Sequence, residues 1–97
     1  MKSYKEIEKI LRLHKKELAE KYKIKEIGIF GSYVRGEQKK RSDVDILVEY
    51  EELPDLLKFI ELERYLENLL GKKVDLVEKT GLRIQLKDRI LKETVSI

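Results

Sequence analysis

The sequence predicts one small α+β domain, a short sheet packed with helices, and three observations lead there. Apolar residues alternate between a helical period and a two-residue period several times along the chain. Glycine and proline stand at the changes of period, and no flexible linker separates them. The 97 residues, 41% of them hydrophobic, suffice to build one core but not two.

The elements follow in order. Ser3 with Glu6 three residues on forms a capping box for a first helix. Ile7, Leu11, His14, Leu18 and Tyr22 recur along one face of it. Ile27, Gly28, Ile29 and Phe30 read as a short buried strand within 24–30, ending at the turn Gly31-Ser32, which opens a short helix. The polar run from Glu37 to Ser42 is a loop. From Asp43 to Tyr50 the pattern alternates, with Val44, Ile46 and Val48 on one face. Pro54-Asp55 introduces a second long helix carrying Leu56, Phe59, Leu62, Leu66 and Leu69, with Gly71 as its stop. Lys73 to Val77 is a third strand, Leu82 to Leu91 a short helix, and Thr94 to Ile97 an edge strand. One layer of helices on a small sheet is the simplest packing.

Composition excludes several functions. Charged residues make up 42% of the chain, well above the usual quarter, and the bias toward Lys, Glu and Ile suggests a heat-loving source. The net charge of +3 is small and spread out, so no direct nucleic-acid binding is expected. With no cysteine, disulfides and thiolate metal sites are excluded, and the single histidine, His14, argues against an imidazole zinc site. No apolar run approaches the ~20 residues of a membrane span, and the start of the chain lacks the apolar stretch of a signal peptide. A soluble, cytoplasmic protein is expected.

Three aspartates carry the chemistry. Asp43 and Asp45 are two apart, so in a strand both side chains leave the same face, with alpha-carbons roughly 6.5–7 Å apart. Asp75, between Val74 and Leu76, also points away from an apolar face. Carboxylates converging on one patch repel one another unless a cation or a partner stands between them. All-oxygen ligation selects a hard metal, Mg²⁺ or Mn²⁺, and such ions are commonly completed by substrate phosphates. Gly31 and Ser32 offer a place for those phosphates: the glycine permits close backbone approach and the serine supplies a hydroxyl and an amide. Arg35, one turn along, and Lys39, Lys40 and Arg41 are candidates to balance triphosphate charge, although the three-residue run reads most simply as a solvated loop. Gly31 and Gly36 have P-loop spacing, but Glu37-Gln38 stands where that motif needs Lys and Ser or Thr, so the P-loop reading fails.

Other residues have plainer roles. His14 is a packing residue of the first helix, and Glu49 belongs to the surface or to the rim of the site. Tyr33 either lines the nucleotide site or packs. The leucine stripe from Leu56 to Leu69 is core, with any exposed remainder a partner surface.

Gly31-Ser32, ten intervening residues and Asp43-Val44-Asp45 resemble the signature of the DNA polymerase beta-like nucleotidyltransferase superfamily. The runs Gly31-Ser32-Tyr33-Val34-Arg35-Gly36-Glu37 and Ser42-Asp43-Val44-Asp45-Ile46-Leu47-Val48 resemble its minimal nucleotidyltransferase (MNT) branch, with Val34 where alanine is frequent and Asp75 as the third acid. The resemblance implies a mixed sheet, one nucleotidyltransferase domain over 1–97, and ATP as substrate. It implies Asp43 and Asp45 as Mg²⁺ ligands, Asp75 as a ligand and activator of the acceptor hydroxyl, and Gly31, Ser32 and Arg35 at the nucleotide. Such proteins pair with an all-helical HEPN toxin, some transferring AMP to a toxin tyrosine. The expected function is therefore that of an antitoxin. A non-catalytic antitoxin, or transfer to a small-molecule or RNA hydroxyl, are the alternatives. Nearly every residue is needed for the core, so the acceptor is expected to arrive on a partner or a second copy of the chain.

Overall fold

The computed structural model describes residues 3–97. Helix α1, Tyr4–Tyr22, begins as the capping box requires: the Glu6 amide donates to Ser3 Oγ at 3.2 Å, and the Glu6 carboxylate returns to the Ser3 amide. Its buried face is Ile7, Leu11, Leu18 and Tyr22. His14 is half-buried on the helix, with Nδ1 2.9 Å from the Ile10 carbonyl oxygen. Strand β1, Ile24–Phe30, leads into the one-turn helix α2, Ser32–Arg35, and after the polar loop comes β2, Val44–Tyr50. Helix α3 is Leu56–Leu70, capped by the Asp55 carboxylate accepting from the Lys58 amide at 2.8 Å. Strand β3, Val74–Glu78, a 3-10 turn at Lys79–Gly81, helix α4, Ile84–Glu93, and the short strand β4, Val95–Ser96, complete the chain.

The four strands form one mixed sheet in the order β3-β2-β1-β4. β1 runs antiparallel to β2 and to β4, whereas β2 and β3 are parallel, the crossover between them being α3. Val44, Ile46 and Val48 are fully buried on one face, against Ile7, Leu11 and Leu18 of α1 and Leu62, Leu66 and Leu70 of α3. Each such side chain contributes about 1.5–3 kcal/mol on burial.

Three sequence expectations need correction. Helices cover both faces of the sheet. Phe30, Leu47 and Ile90 form a second buried cluster, with Val77, Leu82 and Leu91 beside it, so α4 packs on the face opposite α1 and α3. The cause is Leu47, an apolar residue at the same strand parity as Asp45 and Glu49, which gives the polar-looking face an apolar centre. In α3 the core row is Leu62, Leu66 and Leu70, one residue four on from the next. Leu69 is only half-buried, and Leu56 and Leu57 are 72% and 77% exposed in the first turn. The last helix also starts two residues later than its apolar pattern suggests, because Leu82 joins the second cluster from an extended segment that follows the 3-10 turn. Among the described residues no helix is long and apolar enough to cross a membrane.

Candidate active site

The parallel pairing of β2 and β3 places Asp45 directly beside Asp75. Val44 and Val74 are register partners inside the larger core, so the two aspartates at the next position share the opposite face. Asp43 precedes β2 by one residue and is exposed, as is Asp75, while Asp45 is half-buried. The Asp45 carboxyl is pushed up from 3.8 to about 6. Burial is the largest cause, followed by the charge of Asp75 and its hydrogen bond, then the charge of Asp43, with Arg35 acting in the opposite sense. Asp45 therefore senses both of the other predicted acids. Among the described residues, no three His, Cys, Asp or Glu side chains stand close enough together to hold a metal ion as they are.

On the other strand neighbour, Phe30 is the register partner of Asp45, so the Gly31 turn begins beside the carboxylate. Gly31 has φ +80°, and a β-carbon there would lie 2.8 Å from Asp45 Cγ and would overlap the carboxylate oxygen. No other residue combines that conformation with that approach. The amides of Val34 and Arg35 both turn back to the Gly31 carbonyl, at 3.1 and 3.2 Å, which leaves those of Ser32 and Tyr33 at the open start of the turn. Gly36, at φ +72°, stops α2 after one turn, where a P-loop would continue into a long helix. Ser32 is half-buried at the turn, and Tyr33 is 1% exposed within the larger core, so Tyr33 packs.

Arg35 is exposed and already paired. Its Nε donates to Glu37 at 2.7 Å and its Nη1 to Glu93 at 2.5 Å. These carboxylates raise its already high pKa. The other oxygen of Glu93 accepts from the Gly31 amide at 2.8 Å. Burial opposes ionisation of Glu93, but Arg35 and the Gly31 amide outweigh it and its pKa is lowered. No local pattern pointed to Glu93, which stands 62 residues from Gly31 in sequence.

Beside Asp43 opens a cleft of about 440 Å³ lined by Arg41, Ser42, Gly71, Lys72 and Lys73. Lys72 Nζ donates to the Lys40 carbonyl at 2.8 Å, and the Ser42 hydroxyl accepts from the Lys39 amide, so the polar loop is folded rather than merely solvated. Lys72 and Lys73 thereby share a cleft with Asp43, a juxtaposition that spacing alone did not disclose. Glu49 lies about 13 Å along β2 from Asp45 by strand rise and pairs with Lys79 at 3.6 Å, away from the rim. It borders a separate cavity of about 250 Å³ between the sheet and the end of α4, lined also by Gly28, Leu47 and Leu91.

Residues 11–97 match the nucleotidyltransferase domain family. The chain belongs to that family. This nucleotidyltransferase is 59% identical over 97 residues to the protein adenylyltransferase MntA of Thermococcus cleftensis, covering all of this chain and 98% of that protein. Among solved structures it is similar to a toxin–antitoxin crystal structure with AMP-PNP, at 29% identity and TM-score 0.73, covering 93% of this chain and 70% of the other. It is also similar to a chain in the complex of a tri-AMPylated Shewanella oneidensis HEPN toxin with its MNT antitoxin, at 26% identity and TM-score 0.64, covering 93% and 66%. The mixed sheet with its flanking helices is the polymerase beta-like fold of minimal nucleotidyltransferases. The nucleotidyltransferase therefore has the expected fold, on which Gly31 and Asp75 both lie beside Asp45.

Proposed function

We propose that this nucleotidyltransferase moves AMP from ATP to a tyrosine hydroxyl of an all-helical HEPN partner, and that this transfer neutralises a toxin. The observation that carries the reading is the register of Asp45 with Asp75, with Gly31 fitted against the same carboxylate. A relative that is a protein adenylyltransferase, a similar structure with an ATP analogue and another with an AMPylated HEPN toxin support the donor, the group transferred and the partner.

The donor set fits Mg²⁺, or Mn²⁺, on its chemistry: oxygen ligands alone, with Asp45 raised to about 6 by burial first and then by the charges of Asp75 and Asp43. Asp43, Asp45 and Asp75 would hold it. When bound, such an ion neutralises triphosphate charge and polarises the reacting oxygens. Ser32, with its amide and hydroxyl, orients the phosphates. Asp75, the most accessible base on this face of β3, takes the proton of the acceptor hydroxyl. The hydroxyl oxygen then forms a bond to the α-phosphorus, and the bond to the bridging oxygen breaks with departure of pyrophosphate. Positioning and charge stabilisation supply the rate.

Mass spectrometry of the helical partner, after incubation with this chain, ATP and Mg²⁺, tests the reading. An AMP-sized gain on a tyrosine is expected, absent with Asp43→Asn and Asp45→Asn combined. Neutralisation that survives this double substitution would instead establish inhibition by binding. Efficient modification of a free small molecule or an RNA end, with no protein present, would reassign the acceptor.

A further inference from the structure

We propose that Glu93 is a positioning residue, holding the Gly31–Ser32 turn and Arg35 at their working places beside Asp45. The inference rests on nucleotidyl transfer being the activity of this site. Gly31 is held from two sides. Its Cα faces the Asp45 carboxylate so closely that no β-carbon fits, and its amide donates to Glu93 Oε2 at 2.8 Å. The turn is thus clamped between a carboxylate on β2 and one at the last residue of α4.

Glu93 is itself well anchored. Three residues before it, Ile90 is buried against Phe30 and Leu47. Immediately after it, the Thr94 amide and hydroxyl donate to the Ile90 carbonyl at 2.9 and 2.6 Å. Val95 and Ser96 then pair with Ile29 and Gly28, in the strand that runs into the turn. The residue therefore approaches Gly31 from a segment fastened to β1 and to the α4 core.

A neutral acceptor would satisfy the Gly31 amide without adding negative charge near three aspartates. What the charge of Glu93 adds is a hold on Arg35, whose Nη1 it accepts at 2.5 Å while Glu37 takes Nε. The guanidinium is thereby held between Glu93 and Glu37, and it acts as part of the wall rather than as a mobile arm reaching for the nucleotide. Arg35 and Glu93 together set how far the serine turn stands from the acids.

Glu93→Ala and Glu93→Gln in the full chain separate this role from bulk stability. Small displacements of positioned groups cost about tenfold to a hundredfold in rate. Glu93→Ala should lower kcat by about tenfold or more, with KM for ATP changed by less than about threefold. Glu93→Gln keeps an acceptor for the Gly31 amide and should recover at least about half of the lost rate on a logarithmic scale. By hydrogen exchange, Gly31 should lose its protection in the alanine variant and keep it in the glutamine variant, with Ile29 protected in both. An alanine variant transferring at the wild-type rate overturns the proposal, as does tighter ATP binding on removal of Glu93, which would mean that the carboxylate competes with phosphate. Should Glu93→Ala not fold, a glutamine variant with Gly31 unprotected in a folded sheet overturns it. If the wild-type chain transfers no nucleotide, the functional reading fails separately, and the Gly31 exchange result alone decides whether Glu93 holds the turn.

Discussion

Replacing Asp45 with asparagine should stabilise this protein in the absence of divalent metal while abolishing nucleotidyl transfer. Asp45 is half-buried, is the register partner of Asp75 and also feels Asp43, and its carboxyl is raised from 3.8 to about 6. A group whose folded pKa is raised favours the folded state when protonated. Below about pH 4 both states bind the proton and no penalty exists. As pH rises from about 4 to about 6 the unfolded chain ionises first, and the fold loses stability. Above that window the full penalty is present. The gap corresponds to about 3 kcal/mol for a group shut away from water, and solvent screening of a half-buried carboxylate reduces it to about 1 kcal/mol. Asp45→Asn removes the term. At pH 7.5 in EDTA the variant should melt about 4–8 °C higher than wild type by far-ultraviolet circular dichroism, and the difference should vanish near pH 4. Adding Mg²⁺ should raise the wild-type melting temperature and leave the variant nearly unmoved. The reasoning is refuted if the asparagine variant is no more stable at pH 7.5, or if its advantage is the same at pH 4.

Gly31→Ala combines a positive φ with overlap on Asp45; it should cost about 2–4 kcal/mol in urea unfolding and eliminate transfer even where the protein remains folded. Ile90→Ala removes the α4 anchor of the second cluster; a loss of about 2–4 kcal/mol is expected, with transfer reduced in the fraction that stays folded because Glu93 rides on the same helix. Ser3→Ala breaks the capping box far from the site, so equilibrium unfolding should show a loss of about 1 kcal/mol with kcat unchanged. Chelation of divalent metal should stop transfer, and Mg²⁺ or Mn²⁺ should restore it where Ca²⁺, larger and less strict in geometry, does so poorly.

Much of this protein was determined by the sequence alone. Periodicity placed the helices and strands, because 3.6- and two-residue repeats are local consequences of backbone geometry. Two-residue spacing predicted a common face for Asp43 and Asp45, although the strand itself begins only at Val44, and the Gly31-Ser32 turn stood out because glycine is the residue that tolerates its dihedral angles. Which strands are neighbours emerged only from the folded chain. The parallel pairing that sets Asp75 beside Asp45 joins residues thirty apart, and no local pattern encodes such a register. The second helical layer was similarly hidden: Leu47 interrupts an otherwise polar strand face, and its meaning emerged only when Phe30 and Ile90 closed over it. Glu93 illustrates the same limit most sharply, since a carboxylate at the end of a polar helix looks solvated until long-range packing delivers it to the amide of Gly31. Local steric preference acts within a few residues, whereas pairing and layer order are settled by burial of apolar surface across the whole chain.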